Sequence, residues 1–296
     1  LDTAVKSYEK ILSVKPDFAE AHYNLAVTLQ ELNQLDDAVR HYEQALTIKP
    51  DYAEAHNNLG IAHKELDQLD AAVECYEQAL AIKPDYAEAH YNLGNALKNL
   101  GQLGAALKSY EQALEIKPDY AEAHYNLGNT SKKLGQLDAA VKNYEQALTI
   151  KPGYAEAFNH LGVALKELGE LDTAVNSYEK VLAIKPDFAE AHFNLGLTLH
   201  ELGQLDAAVK CYEKTLAIKP DYAEAHNNLG NVLQDINQLD AAVKCYEKAI
   251  AIKPDFADAH YNLGITFQGL GQLEAAVESY VAALDIKSDY AEAFNN

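Results

Sequence analysis

Across 296 residues the chain sets 24 Lys and Arg against 45 Asp and Glu, a formal charge of −21, and so lacks the basic surplus that neutralising a nucleic-acid backbone requires. Apolar residues make up 48% of it, enough for a continuous core, yet no stretch approaches the roughly 20 consecutive apolar residues of a membrane span. No Gly/Ser-rich linker, charge block or shift in composition divides it, so a length that would ordinarily mean two globular domains reads as one elongated domain over 1–296.

The chain opens at Leu1 in mid-unit, and 1–18 read as a second-helix half unit. No initiating Met or signal-like segment is present; the cytoplasm is the favoured compartment, with a leader upstream of the fragment left open. From there the prolines keep time: Pro16, Pro50, Pro84, Pro118, Pro152, Pro186, Pro220 and Pro254 are each 34 residues apart. Eight full units follow, 19–52, 53–86, 87–120, 121–154, 155–188, 189–222, 223–256 and 257–290, and 291–296 begin a further first helix.

Within the unit 87–120, Ala89, Leu93, Ala96, Leu97 and Leu100 recur at three- and four-residue steps, which predicts a first amphipathic helix. Gly101 ends it; the equivalent residues are Asn33, Asp67, Gly135, Gly169, Gly203, Asn237 and Gly271, all types that tolerate a left-handed backbone. Leu103, Ala106, Leu107, Tyr110, Ala113 and Leu114 then predict a second helix, stopped by Lys-Pro, whose Lys is expected to complement the helix carbonyls. Restart is expected from a capping box, Asp51/Glu54, repeated at Asp85/Glu88, Asp119/Glu122, Asp187/Glu190 and Asp221/Glu224, with Gly153 capping less well.

Such short connections make neighbouring helices antiparallel, and each pair leaves an apolar face for the next pair to cover. Gly60, Gly94, Gly128, Gly162, Gly196, Gly230 and Gly264 in the first helix, and Ala72, Ala106, Ala140, Ala208 and Ala242 in the second, mark the expected closest approach of helices, and one Tyr per second helix, Tyr8 to Tyr280, is expected to fill what remains. Leu-Gly, then Ala, Tyr, Ala and Pro at this spacing resemble the tetratricopeptide repeat over the whole chain. The resemblance implies an all-α, right-handed superhelical solenoid of antiparallel helix pairs. It departs in one respect: the family's first-helix Trp position holds His22, His56, His90, His124, His192, His226 and His260, or Phe158 and Phe294.

Those histidines are expected to replace a packing aromatic. Successive copies stand about 10 Å apart, whereas zinc ligands converge within about 2 Å of one ion. His41, His63, His160 and His200 form no motif, and Cys75, Cys211 and Cys245 are expected as free thiols. The sequon Asn129-Thr130-Ser131 lies inside a predicted helix. No phosphate loop, nucleophile elbow or metal cluster is legible, so the reading is a chain without catalytic residues, cofactor or metal.

The family's first helix lines its groove, which directs attention to two rows one helical turn apart. One is Glu54, Glu88, Glu122, Glu190 and Glu224, with Glu20 before it; the other is Asn24, Asn58, Asn92, Asn126, Asn194, Asn228 and Asn262, interrupted by His160. Asn is a poor helix former whose amide both donates and accepts, which suits an extended peptide backbone; the alternative is bonding between repeats. The Asn row is similar to the substrate-binding ladder of O-linked N-acetylglucosamine transferases, and the repeats also resemble bacterial multi-repeat proteins. Beside it Tyr23, Tyr91, Tyr125, Phe193 and Tyr261 are the candidate contact aromatics, exchanging with Asn57, Asn159 and Asn227.

The expected function is a scaffold for a protein or extended peptide, basic or polar in character, with acidic C-terminal tails repelled because Glu or Tyr/Asn stand where a carboxylate clamp needs Lys or Arg. Two alternatives stay open at this point: end-to-end self-association into an array or filament, and service as the substrate-binding segment of a larger glycosyltransferase.

Overall fold

The structure, a computed structural model, describes residues 1–288. Phe294 and the further first helix over 291–296 lie outside the described residues. The chain divides into two compact units, Leu1–Pro152 and Gly153–Asn296. The first holds α1 (Asp2–Val14), α2 (Ala19–Glu31), α3 (Leu35–Ile48), α4 (Ala53–Glu65), α5 (Leu69–Ile82), α6 (Ala87–Asn99), α7 (Leu103–Ile116), α8 (Ala121–Lys133) and α9 (Leu137–Ile150). In the second are α10 (Ala155–Glu167), α11 (Leu171–Ile184), α12 (Ala189–Glu201), α13 (Leu205–Ile218), α14 (Ala223–Asp235), α15 (Leu239–Ile252), α16 (Ala257–Gly269) and α17 (Leu273–Ile286). The fold is all-α, and the described residues contain no strand.

The turn between first and second helix is set by backbone conformation. Asn33, Asp67 and Asn237 have φ of 59°, and Gly101, Gly135, Gly169, Gly203 and Gly271 lie between 71° and 81°. This left-handed residue reverses the chain two residues before the second helix begins, as at Gly101 before Leu103. Within each unit every first helix packs on its own second helix, and that second helix packs on the next first helix. First helices also touch the next first helix, as α4 touches α6 and α12 touches α14.

The core is one contact repeated. Tyr42, Tyr76, Tyr110 and Tyr144 in the first unit, and Tyr178, Tyr212 and Tyr246 in the second, are fully buried; Tyr280 is nearly so and Tyr8 is half-buried. From Tyr76 to Tyr280 each ring lies close against a glycine of its partner helix: a Cβ on Gly94 would sit 2.7 Å from Tyr110 Cε1, and one on Gly162 would sit 2.6 Å from Tyr178 Cε1. A methyl cannot occupy that space without moving the ring.

The phenol hydroxyls divide these rings. Tyr110 donates to Asn95 Oδ1 at 2.8 Å, Tyr144 to Asn129 Oδ1 at 2.8 Å and Tyr246 to Asn231 Oδ1 at 2.9 Å. Ile61 and Leu197 stand where those asparagines do, 15 residues before Tyr76 and Tyr212, and the hydroxyls of these two tyrosines are buried without a partner among the described residues. An orphaned buried hydroxyl costs about 1–3 kcal/mol. Tyr76→Phe and Tyr212→Phe are therefore expected to hold or raise stability by about 1 kcal/mol, while Tyr110→Phe lowers it by about 1 kcal/mol. Denaturant midpoints of the three variants, compared with the parent, check the opposite signs.

Helix starts differ from expectation. The N-cap residues are Tyr52, Tyr86, Tyr120, Phe188 and Tyr222, none with a side-chain cap bond; Asp51, Asp85, Asp119, Asp187 and Asp221 sit one residue too early. Pro-Asp is spent on the turn, so no capping box forms and Gly153 has none to lose. The Lys before each proline is the C-cap residue of its second helix, and its side chain reaches forward. Its ammonium lies over the ring three residues on, 4.3 Å for Lys49 over Tyr52 and 4.6 Å for Lys117 over Tyr120. It also pairs with the first-helix Glu of the same repeat: Lys83–Glu54 at 3.5 Å, Lys117–Glu88 at 3.4 Å, Lys151–Glu122 at 3.0 Å and Lys253–Glu224 at 3.5 Å. These are exposed ion pairs, worth little singly.

Candidate binding face of the first helices

Each first helix turns its Ala, Leu and Gly positions to the second helices and keeps another face toward solvent. On that face Glu20, Glu88, Glu190 and Asn24 are exposed or partly so; Glu54, Glu122, Glu224, Asn58, Asn92, Asn126, Asn194, Asn228 and Asn262 are half-buried. The Glu and Asn rows are thus both at the surface of their units.

The asparagines are joined to the preceding repeat by a fixed register. Asn58 donates Nδ2–H to Tyr23 Oη at 2.9 Å and Asn126 to Tyr91 Oη at 3.0 Å, each 35 residues back. Asn92 donates to Asn57 Oδ1 at 3.0 Å, Asn194 to Asn159 Oδ1 at 3.2 Å and Asn262 to Asn227 Oδ1 at 3.1 Å. The position that exchanges Tyr with Asn is therefore an acceptor for the next repeat, and both residue types supply an oxygen. Phe193 cannot, and Asn228, 35 residues on, instead accepts from Asn227 at 3.2 Å. The inter-repeat alternative for the ladder is present in the geometry. It uses the amide N–H and leaves the amide oxygens of Asn92, Asn194 and Asn262 without a donor among the described residues.

The candidate aromatics are less free than the sequence implies. Tyr23 lies 6.0 Å from Tyr42 and 4.9 Å from Tyr52; Tyr91 lies 6.0 Å from Tyr110 and 4.8 Å from Tyr120; Phe193 lies 5.9 Å from Tyr212 and 4.8 Å from Tyr222. Tyr125 packs 6.1 Å from Tyr144, and Tyr261 5.9 Å from Tyr280. Each is half-buried and packs against the buried tyrosine of its own second helix. Asn57, Asn159 and Asn227, which replace them elsewhere, are buried.

The histidines have a role the sequence alone did not disclose. Nε2 of His56, His90, His124, His192 and His260 lies 2.9 to 3.1 Å from the carbonyl of the proline six residues earlier, as do His22 and His226. A carbonyl only accepts, so Nε2 carries the proton and ties the turn to the helix. Phe158, at the same position, presents no ring N–H. On its other side the His22 ring meets His41, Nδ1 to Nδ1 at 3.0 Å. Burial, then the neighbouring His22 and Arg40, hold His41 below the usual imidazole range.

The remaining chemistry-bearing groups are occupied by structure. Cys75, Cys211 and Cys245 are free thiols, half-buried, and burial pushes those of Cys75 and Cys211 up to about 11. Asn129 is engaged by Tyr144, and Thr130 and Ser131 are buried, so the sequon is part of the core of α8. Among the described residues no group of three His, Cys, Asp or Glu is placed to hold a metal ion, and no helix is long and apolar enough to cross a membrane.

Seven overlapping matches to the TPR repeat profile run from 29–67 to 235–271, and Tetratricopeptide repeat profiles match 7–40 and 257–290. No curated protein matches in sequence. Among solved structures, YrrB, described as a TPR protein with an unusual peptide-binding site, is 27% identical with a TM-score of 0.57 over 63% of this chain and 96% of its own. MamA is 28% identical with a TM-score of 0.53 over 56% of this chain and 97% of its own. The APC/C hetero-tetramer Cut9–Hcn1, at 15% identity and a TM-score of 0.59 over 98% of this chain and 57% of that one, shares the fold. With profiles matching nearly every residue and an all-α architecture of stacked helix pairs beneath them, the chain belongs to the tetratricopeptide repeat family.

Proposed function

We propose that this chain is a non-catalytic scaffold that binds a protein or an extended peptide, basic or polar in character, along the face of its first helices. The observation that carries the proposal is the unused acceptor capacity of Asn92, Asn194 and Asn262: their N–H groups hold the preceding repeat, and their oxygens stay open to a backbone N–H from outside. The Glu row one turn away adds negative charge for a basic partner, and the half-buried rings of Tyr91, Tyr125 and Phe193 add apolar contact. The peptide-binding site of YrrB supports a peptide as the class of partner.

The test compares Asn92→Ala/Asn194→Ala/Asn262→Ala with the Asp triple variant. Both lose the N–H that joins the repeats, but Asp keeps the oxygen. Capture of a bound partner is expected to fall about tenfold in the Ala variant and to persist in the Asp variant, a difference of about 1.4 kcal/mol in binding. Equal loss in both would mean that these side chains only hold repeats together.

A further inference from the structure

The first-helix face of an acidic chain contains one stretch where positive charge is left over. Two positions near the end of each first helix meet across repeats at a separation of 35 residues. Gln30 Nε2 donates to Glu65 at 3.0 Å, Lys166 pairs with Glu201 at 2.8 Å, and His200 meets Asp235 at 2.6 Å. In each case the later residue is a carboxylate. At the same 35-residue spacing Lys64 is followed by Asn99 and Lys98 by Lys133, so the position that elsewhere holds a carboxylate is first neutral and then a second cation.

Lys64, Lys98 and Lys133 stand on α4, α6 and α8 of the first compact unit, and Lys98 bonds to Asn126 Oδ1, at 3.3 Å, on the candidate binding face. Burial, then Lys133 and Lys64, hold the Lys98 ammonium below its usual range. All three influences disfavour the cation, and Glu65, the carboxylate of this stripe, already receives Gln30. A lysine row of this kind lacks the counter-charge that the other repeats supply from within.

We infer that Lys64, Lys98 and Lys133 form a subsite for an acidic peptide segment, which supplies the carboxylates missing at Asn99 and Lys133. The inference rests on the scaffold reading and narrows the chemistry of its partner at this place. It departs from the expectation that acidic segments are repelled, because charge acts locally: beyond a Debye length of about 8 Å the rest of the chain is screened. Successive first helices are about 10 Å apart, close to one three-residue turn of a polyproline-II segment at about 3.1 Å per residue, so the fitting segment carries Asp or Glu at every third position, all on one side. A polyanion as long as a nucleic acid would run on into the Glu rows, which favours a short peptide.

The probe is a dye-labelled extended nonapeptide with Glu at positions i, i+3 and i+6 and Ser and Gly elsewhere, titrated into the full chain by fluorescence anisotropy beside its Gln counterpart. Lys133→Glu restores the pairing seen at Lys166–Glu201, so the variant is expected to fold at least as well as the parent. Binding of the Glu peptide is expected to exceed that of the Gln peptide and to weaken about tenfold in Lys133→Glu and in Lys98→Gln. Equal binding of the two peptides, or an unchanged affinity in Lys133→Glu, overturns the subsite. Because the Asn variants above are tested on a captured partner, loss of the acidic subsite with their difference intact leaves the scaffold reading standing.

Discussion

Gly94→Val is expected to destabilise the first unit by about 3 kcal/mol, the upper end of what overpacking a well-filled core costs. The Cβ alone would lie 2.7 Å from Tyr110 Cε1 and 2.8 Å from Cδ1, and the ring is fully buried, so it can make room for a methyl only by a small shift and for a branched side chain only by disturbing its neighbours. Tyr110→Ala leaves a cavity of aromatic size and is expected to cost about 3–5 kcal/mol. Because the two changes act on one contact, the double variant should lose less than the sum, by about 1–3 kcal/mol. Strictly additive losses in urea denaturation would mean that ring and glycine do not share the space described. Ala26 shows where tolerance ends: the chain itself places a fully buried Ala at the equivalent position beside Tyr42. Gly94→Ala should therefore be much milder than Gly94→Val.

Alkali is the second large perturbation. Burial pushes the phenols of Tyr42, Tyr76, Tyr110, Tyr178, Tyr212 and Tyr246 far above the ordinary value near 10, and outweighs the neighbouring groups, of which carboxylates raise it further and hydrogen bonds lower it. In the unfolded chain these groups ionise near pH 10, whereas in the folded chain they keep their protons. The folded state then binds more protons, so stability is complete below about pH 10 and falls as pH rises beyond it, by about 1.4 kcal/mol per pH unit for each tyrosine that unfolds. Several share one unit, and the loss between about pH 10 and 11 is expected to reach several kcal/mol. Denaturant titrations at about pH 8, 10 and 11, with phenolate absorbance followed in parallel, check this. Phenols that all titrate at the ordinary value without loss of helix would contradict the buried rings.

What could be read from sequence follows from how local the constraint is. A left-handed turn favours Gly, Asn or Asp, and Gly94 can meet Tyr110 this closely only if it stays Gly; both show up as residue types repeated every 34 positions. The capping box failed because Asp51 follows a proline that sets a turn, which shifts the cap to Tyr52. The bond from each His to a proline carbonyl six residues back depends on how the turn folds under the helix start, which residue spacing alone does not give. The Asn ladder was legible as a row, and its use was not: whether Asn92 can bond backward depends on Asn57, in another repeat. A clue was present, since Tyr and Asn both offer an oxygen at that position and Phe193 does not. The lysine row required the same comparison, 35 residues apart, between Lys98 and Lys133.

If partners engage the first helices, a bound partner must cover their carboxylates. Carbodiimide labelling of surface carboxylates, read by mass spectrometry with and without a captured partner, tests this directly. The first-helix residues Glu54, Glu88, Glu190 and Glu224 should be shielded on binding, while the exposed second-helix residues Glu77, Glu111, Glu213 and Glu247 label as before. Shielding of the second-helix set with the first-helix set untouched would contradict it.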